Sequence, residues 1–207
     1  MNAELSQRQR NLRRLLRPRH VAIVGGQAMA DSIRRCADTG FSGEVWVVNP
    51  KYAELGGRKC YAAIADLPEA PDATFIAVPR EATIEILKQL DARGGGGAIC
   101  YAAGYTEVGG EGVALHEQFL KAAGNLAVVG PNCYGMLNFI DGICLWPTGA
   151  LGHQVETGCA LVMQSGNIAL NLSRNDRSVP FAYVISSGNQ AVLNAADYVD
   201  ALADDPK

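Results

Sequence analysis

Hydrophobic positions along the chain fall in short unbroken runs, separated by longer stretches with helical spacing. His20–Gly26 (HVAIVGG) is one such run: four apolar residues closed by two glycines, the pattern of a strand buried on both faces. Glu44–Pro50 (EVWVVNP) is a second, stopped by Asn-Pro. Ala73–Pro79, Gly97–Gly104 and Leu126–Gly135 follow, the last holding a sharp turn. Between them Ala28–Gly40, Arg80–Gly94 and Gly112–Gly124 predict helices; in the second of these Ile84, Leu87 and Leu90 fall near one face. Strands alternating with helices predict an α/β fold, a Rossmann-like doubly wound parallel sheet with right-handed crossovers. Ligands of such sheets bind beyond the carboxyl ends of the strands. One rim should therefore carry the loops Gly25-Gly26-Gln27, Asn49-Pro50-Lys51, Val78-Pro79-Arg80, Ala103-Gly104-Tyr105-Thr106-Glu107 and Gly130-Pro131-Asn132-Cys133.

The pattern lapses over Trp146–Gly158 (WPTGALGHQVETG), which predicts an irregular link. Beyond it, Cys159–Gln164 reads as a strand, Phe181–Gln190 as a strand and loop, and the segments from Asn167 and Ala195 as helices. The expected organisation is an Arg-rich lead-in helix over 1–19, a first domain over 20–146, a link over 147–158 and the start of a second α/β domain over 159–207. Two strands and two helices are too few for a good core, so that domain is expected to be incomplete, completed by further chain or by a partner.

Composition narrows the class. The 207 residues are 48% hydrophobic and 19% charged, as in an ordinary soluble α/β protein, and 23 glycines fit many tight turns. A net charge of −3 argues against bulk binding to nucleic acid. The first 20 residues hold Arg8, Arg10, Arg13, Arg14, Arg17 and Arg19 against Glu4 alone, a net +5 that leaves −8 for the rest. This stretch has one Ser and runs straight into a strand, so it reads as a solvated helix docking through Leu12, Leu15 and Leu16, not as a transit peptide. No run approaches the roughly 20 apolar residues of a membrane span. The six cysteines are scattered with no C-x-x-C, which points away from zinc and toward a reducing, cytoplasmic compartment; Cys100 and Cys159 are expected as small buried hydrophobes.

The first turn fails as a dinucleotide fingerprint. Gly25 and Gly26 are adjacent, no third glycine opens the helix, and Asn49-Pro50-Lys51 stands where a ribose-binding acid would be. A cation there favours a phosphate over a ribose, and an NAD(P)-dependent oxidoreductase is disfavoured. There is no P-loop either. Ser165, in Leu161–Leu170 (LVMQSGNIAL), lacks the G-x-S-x-G elbow of a hydrolase, since Met163 and Asn167 flank it. His20, His116 and His153 are the only histidines, and nothing in their positions supports a triad. Ser165 reads as a helix cap at an anion-receiving N-terminus, or as a cap alone.

HVAIVGG, VWVVNPKY, ATFIAVP, AAGYTEVGGEG, VVGPNCYGMLN, ALVMQSGNIAL and VISSGNQA occur in this order. From about His20 to the end, the chain resembles the nucleotide-forming acyl-CoA synthetases, relatives of the succinyl-CoA synthetase α subunit. The resemblance implies a CoA-binding Rossmann-like domain followed by a flavodoxin-like ligase domain. The implied reaction joins a small carboxylic acid to CoA with ATP, through an acyl phosphate and a phosphohistidine. CoA would be held by Gly25, Gly26, Gln27, Asn49, Pro50, Lys51, Val78, Pro79, Ala103, Gly104, Tyr105, Glu107, Pro131, Asn132 and Cys133. Gln164, Ser165, Gly166 and Asn167 would face the phosphate. Lys51 would meet a CoA phosphate, Val78-Pro79 the adenine, and Asn132 the pantetheine arm; Cys133 reads as a wall, not a nucleophile. No catalytic residue is expected in this segment: the phosphohistidine would lie beyond Lys207, and His153 does not take its place. ATP and Mg2+ would bind an ATP-grasp domain or subunit, in a homo- or hetero-oligomer. Gly25-Gly26-Gln27 departs from the family's usual Gly-Ala-Ser turn. The alternative is a stand-alone CoA-binding protein, which would not need Gln164-Ser165-Gly166.

Overall fold

The computed structural model describes residues 5–147, 152–174, 179–203 and 205. Parts of the expected lead-in, link and last two helices, Glu4 among them, lie outside the described residues.

The expected parallel sheet is present. Strands β1 (His20–Gly25), β2 (Glu44–Val48), β3 (Glu54–Leu55), β4 (Arg58–Tyr61), β5 (Ala73–Ala77), β6 (Gly97–Cys100) and β7 (Ala127–Val129) form one sheet in the order β3-β4-β2-β1-β5-β6-β7. All pairs are parallel except the β3-β4 hairpin, which the hydrophobic pattern did not predict. From β1 the chain steps outward through β2 to β4, then returns to the other side of β1 for β5, β6 and β7. That reversal between β1 and β5 is the switch point at which open α/β sheets take ligands.

Alternate residues of β1 feed two cores, Val21 and Ile23 on one face, Ala22 and Val24 on the other. The second face is covered by α3 (Arg80–Ala92) and α4 (Glu111–Ala123), with Ile84, Leu87 and Leu90 buried as the spacing predicts. The first face carries α1 (Gln7–Leu16) and α2 (Ala30–Asp38). Ser6 and Gln9 start α1 with a reciprocal capping box, and Asn11, Leu12, Leu15 and Leu16 form its buried face. The lead-in helix thus docks through the three expected leucines. Gly97 makes the approach close: a Cβ there would lie 2.9 Å from the Leu15 Cβ.

Beyond β7 the structure departs from the simple two-strand picture of the second unit. Strands β8 (Gly135–Asn138) and β9 (Ile143–Leu145) leave the first sheet and join β10 (Cys159–Met163) and β11 (Phe181–Ser186) in a second sheet, order β10-β11-β8-β9. β11 runs parallel to β10 and antiparallel to β8. Helices α5 (Gly166–Ser173) and α6 (Ala195–Leu202) accompany it. Met136, Leu137, Ile143, Trp146, Val184 and Ile185 belong to the same core as α1 and α2, so the two sheets share one apolar interior. Cys100 is buried as expected, but Cys159 is exposed. The reason is position: it opens β10, an edge strand with one neighbour. No helix among the described residues is long and apolar enough to cross a membrane.

At the opposite rim, the buried Asp72 accepts hydrogen bonds from Arg14 Nε at 2.8 Å and from Arg19 N and Nε at 3.1 and 2.9 Å. Burial pushes its carboxyl up, but the Arg19 and Arg14 donors outweigh this and hold it below the ordinary range. A carboxylate depressed in the folded state contributes stability that is complete above its unfolded pKa of about 4 and lost as pH falls through the folded value. The thermal-stability gap between the wild type and Asp72→Asn should therefore be widest near neutral pH and close on acidification. A gap that does not change with pH would rule out this ion pair as its source.

Candidate functional site

The parallel pairing brings the loops after β1, β2, β5, β6 and β7 to one rim, as the pattern predicts. At its centre, the Asn49 Nδ2 donates to Gly25 O at 2.7 Å, and its Oδ1 accepts from Lys51 N at 2.8 Å. Asn49 thereby staples the end of β2 to β1 and turns the chain so that Lys51 projects into solvent. Lys51 is exposed and its ammonium has no hydrogen bond or ion pair among the described residues; Pro50 beside it is exposed. Gly25 and Gly26 differ in kind. A Cβ on Gly25 would meet Met29 Cγ at 2.7 Å, so Gly25 is needed for packing, whereas Gly26 has open space where a side chain would be. Gln27, exposed, opens the short 3-10 turn Gln27–Met29 that leads into α2. Val78 is half-buried and Pro79 exposed at the start of α3.

The loop after β6 is held from inside. Arg80 Nη1 donates to Gly104 O at 2.7 Å, and Gly104 N donates to Glu107 Oε1 at 2.7 Å. Glu107 Oε2 accepts from Asn189 Nδ2 at 2.8 Å, and the Asn189 Oδ1 accepts from Asn132 Nδ2 at 3.3 Å. Partial burial raises the Glu107 carboxyl, but the donors Gly104 N–H, its own and Tyr105 N–H, and the Asn189 amide outweigh it and hold the group ionised below the usual range. The chain Glu107–Asn189–Asn132 thus ties three loops together across the two sheets.

Tyr105 does not present its side chain to the rim. It is fully buried against Phe119 (ring centroids 5.1 Å apart), with its hydroxyl donating to Arg80 O at 3.2 Å. A large ring in a glycine-flanked loop gains most by filling the core, so Tyr105 presents no surface to the rim.

In the loop after β7, Pro131 is buried and Asn132 exposed, at φ 57°. Cys133 is buried, its Sγ donating to Cys100 O at 3.4 Å, and burial pushes the thiol up to about 12. It is a wall residue. Iodoacetamide at pH 8 should label exposed Cys159 in the native protein and leave Cys133 unmodified; equal labelling of the two would show that Cys133 is reactive.

Ser165 is the N-cap of α5, its Oγ accepting from Ile168 N at a long 3.5 Å. Gly166 packs against Tyr134: a Cβ there would lie 2.3 Å from the Tyr134 Cγ. Tyr134 donates from its hydroxyl to Asn167 Oδ1 at 2.8 Å. Gln164 is exposed, and its carbonyl accepts from Gly188 N at 3.2 Å.

Here the two sheets meet over a cleft of ≈ 390 Å3. Ala102, Ala103, Asn132 and Cys133 line one side, Gln164, Ser165, Gly166 and Asn167 the other, with Tyr101 and Tyr134 between. The structure therefore brings the carboxyl ends of β6 and β7 to the N-terminus of α5. Among the described residues, no histidine lines this cleft. Tyr101, Tyr134 and Asn189 were missed by sequence reasoning, although each adjoins a motif that was singled out.

The chain matches the CoA binding domain family over residues 19–138, more than half of its length. It belongs to the CoA-binding domain family. A second match, to the succinyl-CoA ligase like flavodoxin domain, spans residues 156–207. Among curated relatives, a trans-feruloyl-CoA synthase from an unidentified prokaryote is 33% identical over 93% of this chain and 29% of its own length. An ADP-forming acetate–CoA ligase of Archaeoglobus fulgidus is 32% identical over 94% of this chain and 29% of its own. A solved structure of a dinucleotide-forming acetyl-coenzyme A synthetase from Ca. Korarchaeum cryptofilum superposes with a TM-score of 0.84 at 28% identity, over 94% of this chain and 44% of that one. The CoA-binding chain thus spans about 29% of the length of these curated relatives.

Proposed function

We propose that this chain is the CoA-binding portion of an acid–CoA ligase. The whole enzyme converts a small carboxylic acid, CoA and ATP to acyl-CoA, ADP and phosphate, through an acyl phosphate and a phosphohistidine held elsewhere. The observation that carries the reading is the shared cleft, in which the rim of a CoA-binding sheet faces the capped start of α5. A stand-alone CoA-binding protein has no use for that second wall.

CoA lies along the rim. Adjacent strands are about 4.8 Å apart, so the loop after β2 is about 14 Å from that after β6 and about 19 Å from that after β7. An elongated cofactor fits such a track. Lys51 pairs with a phosphate at one end, the backbone at Gly26-Gln27 approaches the diphosphate, and Val78-Pro79 offers an apolar edge to the adenine. The pantetheine arm runs past Gly104 and Asn132, and the thiol enters the cleft. Glu107 and Asn189 act here by fixing Asn132 in place. On the far wall Ser165 caps α5, whose first N–H groups and dipole favour the anionic phosphoryl or carboxylate end of the second reactant. ATP and Mg2+ are assigned to an ATP-grasp domain or subunit, and the compartment is the cytoplasm. The names of relatives cover acetate, 4-hydroxybutyrate and feruloyl substrates.

Calorimetry with CoA, NAD and NADP tests the reading: CoA alone should bind. Lys51→Ala should weaken CoA by about 1–3 kcal/mol, the value of a charge-assisted contact. Unchanged affinity in a folded Lys51→Ala protein would remove Lys51 from the site, and preferential NAD binding would sink the ligase reading.

A further inference from the structure

The cleft walls carry more aromatic surface than a two-carbon acid can use. Tyr101 is 41% exposed, and its hydroxyl has no hydrogen-bond partner among the described residues. Its ring continues a row: Phe75 lies 6.3 Å behind it and Tyr134 6.4 Å ahead, tilted at 47°, and Trp146 meets Tyr134 edge-on at 5.6 Å. Tyr134 is immobilised. Trp146 holds one side, the bare backbone of Gly166 presses the other, and the hydroxyl is tied to Asn167.

These two tilted rings stand side by side in the cleft lining, 6.4 Å apart between centroids. A third planar ring laid against the pair, its centroid about 4.5–5 Å from each, meets one tyrosine by offset stacking and the other edge-on, the two arrangements that aromatic quadrupoles favour. The volume agrees. At ≈ 390 Å3 the cleft is at the small end of the roughly 300–1,000 Å3 range of ligand pockets, enough for a single-ring acid beside a thiol and far more than acetate fills. With acetate the tyrosine faces would stay wet.

We infer that the acid taken by this cleft carries a planar aromatic ring, with Tyr101 and Tyr134 as its specificity-determining walls. The inference rests on the CoA-ligase reading for the identity of the cleft as the acyl site. Within it, the ring lies on the tyrosines and the carboxylate points toward Asn132 and the capped start of α5. The free Tyr101 hydroxyl is placed to meet a polar ring substituent.

The test uses this chain with saturating CoA, and calorimetric titration with benzoate, cyclohexanecarboxylate and acetate. Cyclohexanecarboxylate has the size and charge of benzoate without its planarity. Benzoate should bind about three- to tenfold more tightly than cyclohexanecarboxylate, the added value of aromatic pairing, and acetate more weakly than both. Tyr101→Leu should erase the preference, and Tyr101→Phe should keep it. Equal binding of the two ring acids, or a preference that survives in Tyr101→Leu, overturns the inference. CoA binding without any benzoate binding overturns it too and leaves the CoA reading standing. Failure to bind CoA overturns both.

Discussion

Gly188→Ala is expected to be a strongly damaging single-methyl change beside the cleft. Gly188 follows β11 at φ +57°, and a Cβ there would lie 2.4 Å from Pro131 O, 2.7 Å from Asn132 O and 2.7 Å from Cys133 Cβ. Two costs combine. Left-handed backbone in a residue with a Cβ costs about 1–2 kcal/mol, and forcing atoms into packed backbone costs about 1–3 kcal/mol. None of the three neighbours is the far end of a flexible side chain, so relief requires the loop after β7 to move. At about 2–4 °C per kcal/mol for a chain of this size, the melting temperature should fall by roughly 4–20 °C. Gly57→Ala is the control, because Gly57 also has a positive φ (+78°) but open space around it. Equal losses in the two variants would mean that the turn at Gly188 gives way freely. The displaced loop carries Asn132, so CoA affinity should fall in Gly188→Ala and not in Gly57→Ala.

The second large effect concerns α1. Leu15 is fully buried and lies against Gly97, where the bare backbone lets the helix come close to the strand. Leu15→Ala should cost about 2–5 kcal/mol by lost burial and the cavity left behind. Exposed Arg13 on the same helix should cost within about 0.5 kcal/mol when changed to Ala. Urea unfolding measures both. A neutral Leu15→Ala would mean that the Arg-rich helix is an appendage and not part of the core.

Much of the frame is readable in the chain because burial on both faces leaves a plain signature. VAIV in β1 and VWVV in β2 are unbroken apolar runs, and the residues that end them form the rim. The rest is hidden for physical reasons. β3, β4, β8 and β9 are two to four residues long, too short to show a period; β3-β4 and β8-β9 are local hairpin pairs, and they enter the sheets through β4 on β2 and β8 on the distant β11. Tyr105 and Tyr101 stand four residues apart with the same local chemistry, yet one fills the core and the other faces the cleft. The difference comes from Phe119 and Tyr134, which the chain brings near only on folding. The packing of Gly166 against Tyr134, 32 positions earlier, is likewise hidden until the chain folds.

The crossing of β8 and β9 into the second sheet has a practical consequence for anyone dividing the molecule. A chain cut after Trp146, where the hydrophobic pattern first lapses, would keep β8 and β9 but lose β11. The long side of β8 would then offer unpaired N–H and C=O groups, with Met136, Leu137 and Leu145 stripped of their cover. Such an edge is a template for another copy. The shorter piece should self-associate in proportion to its concentration, while the 207-residue chain keeps that edge satisfied from within.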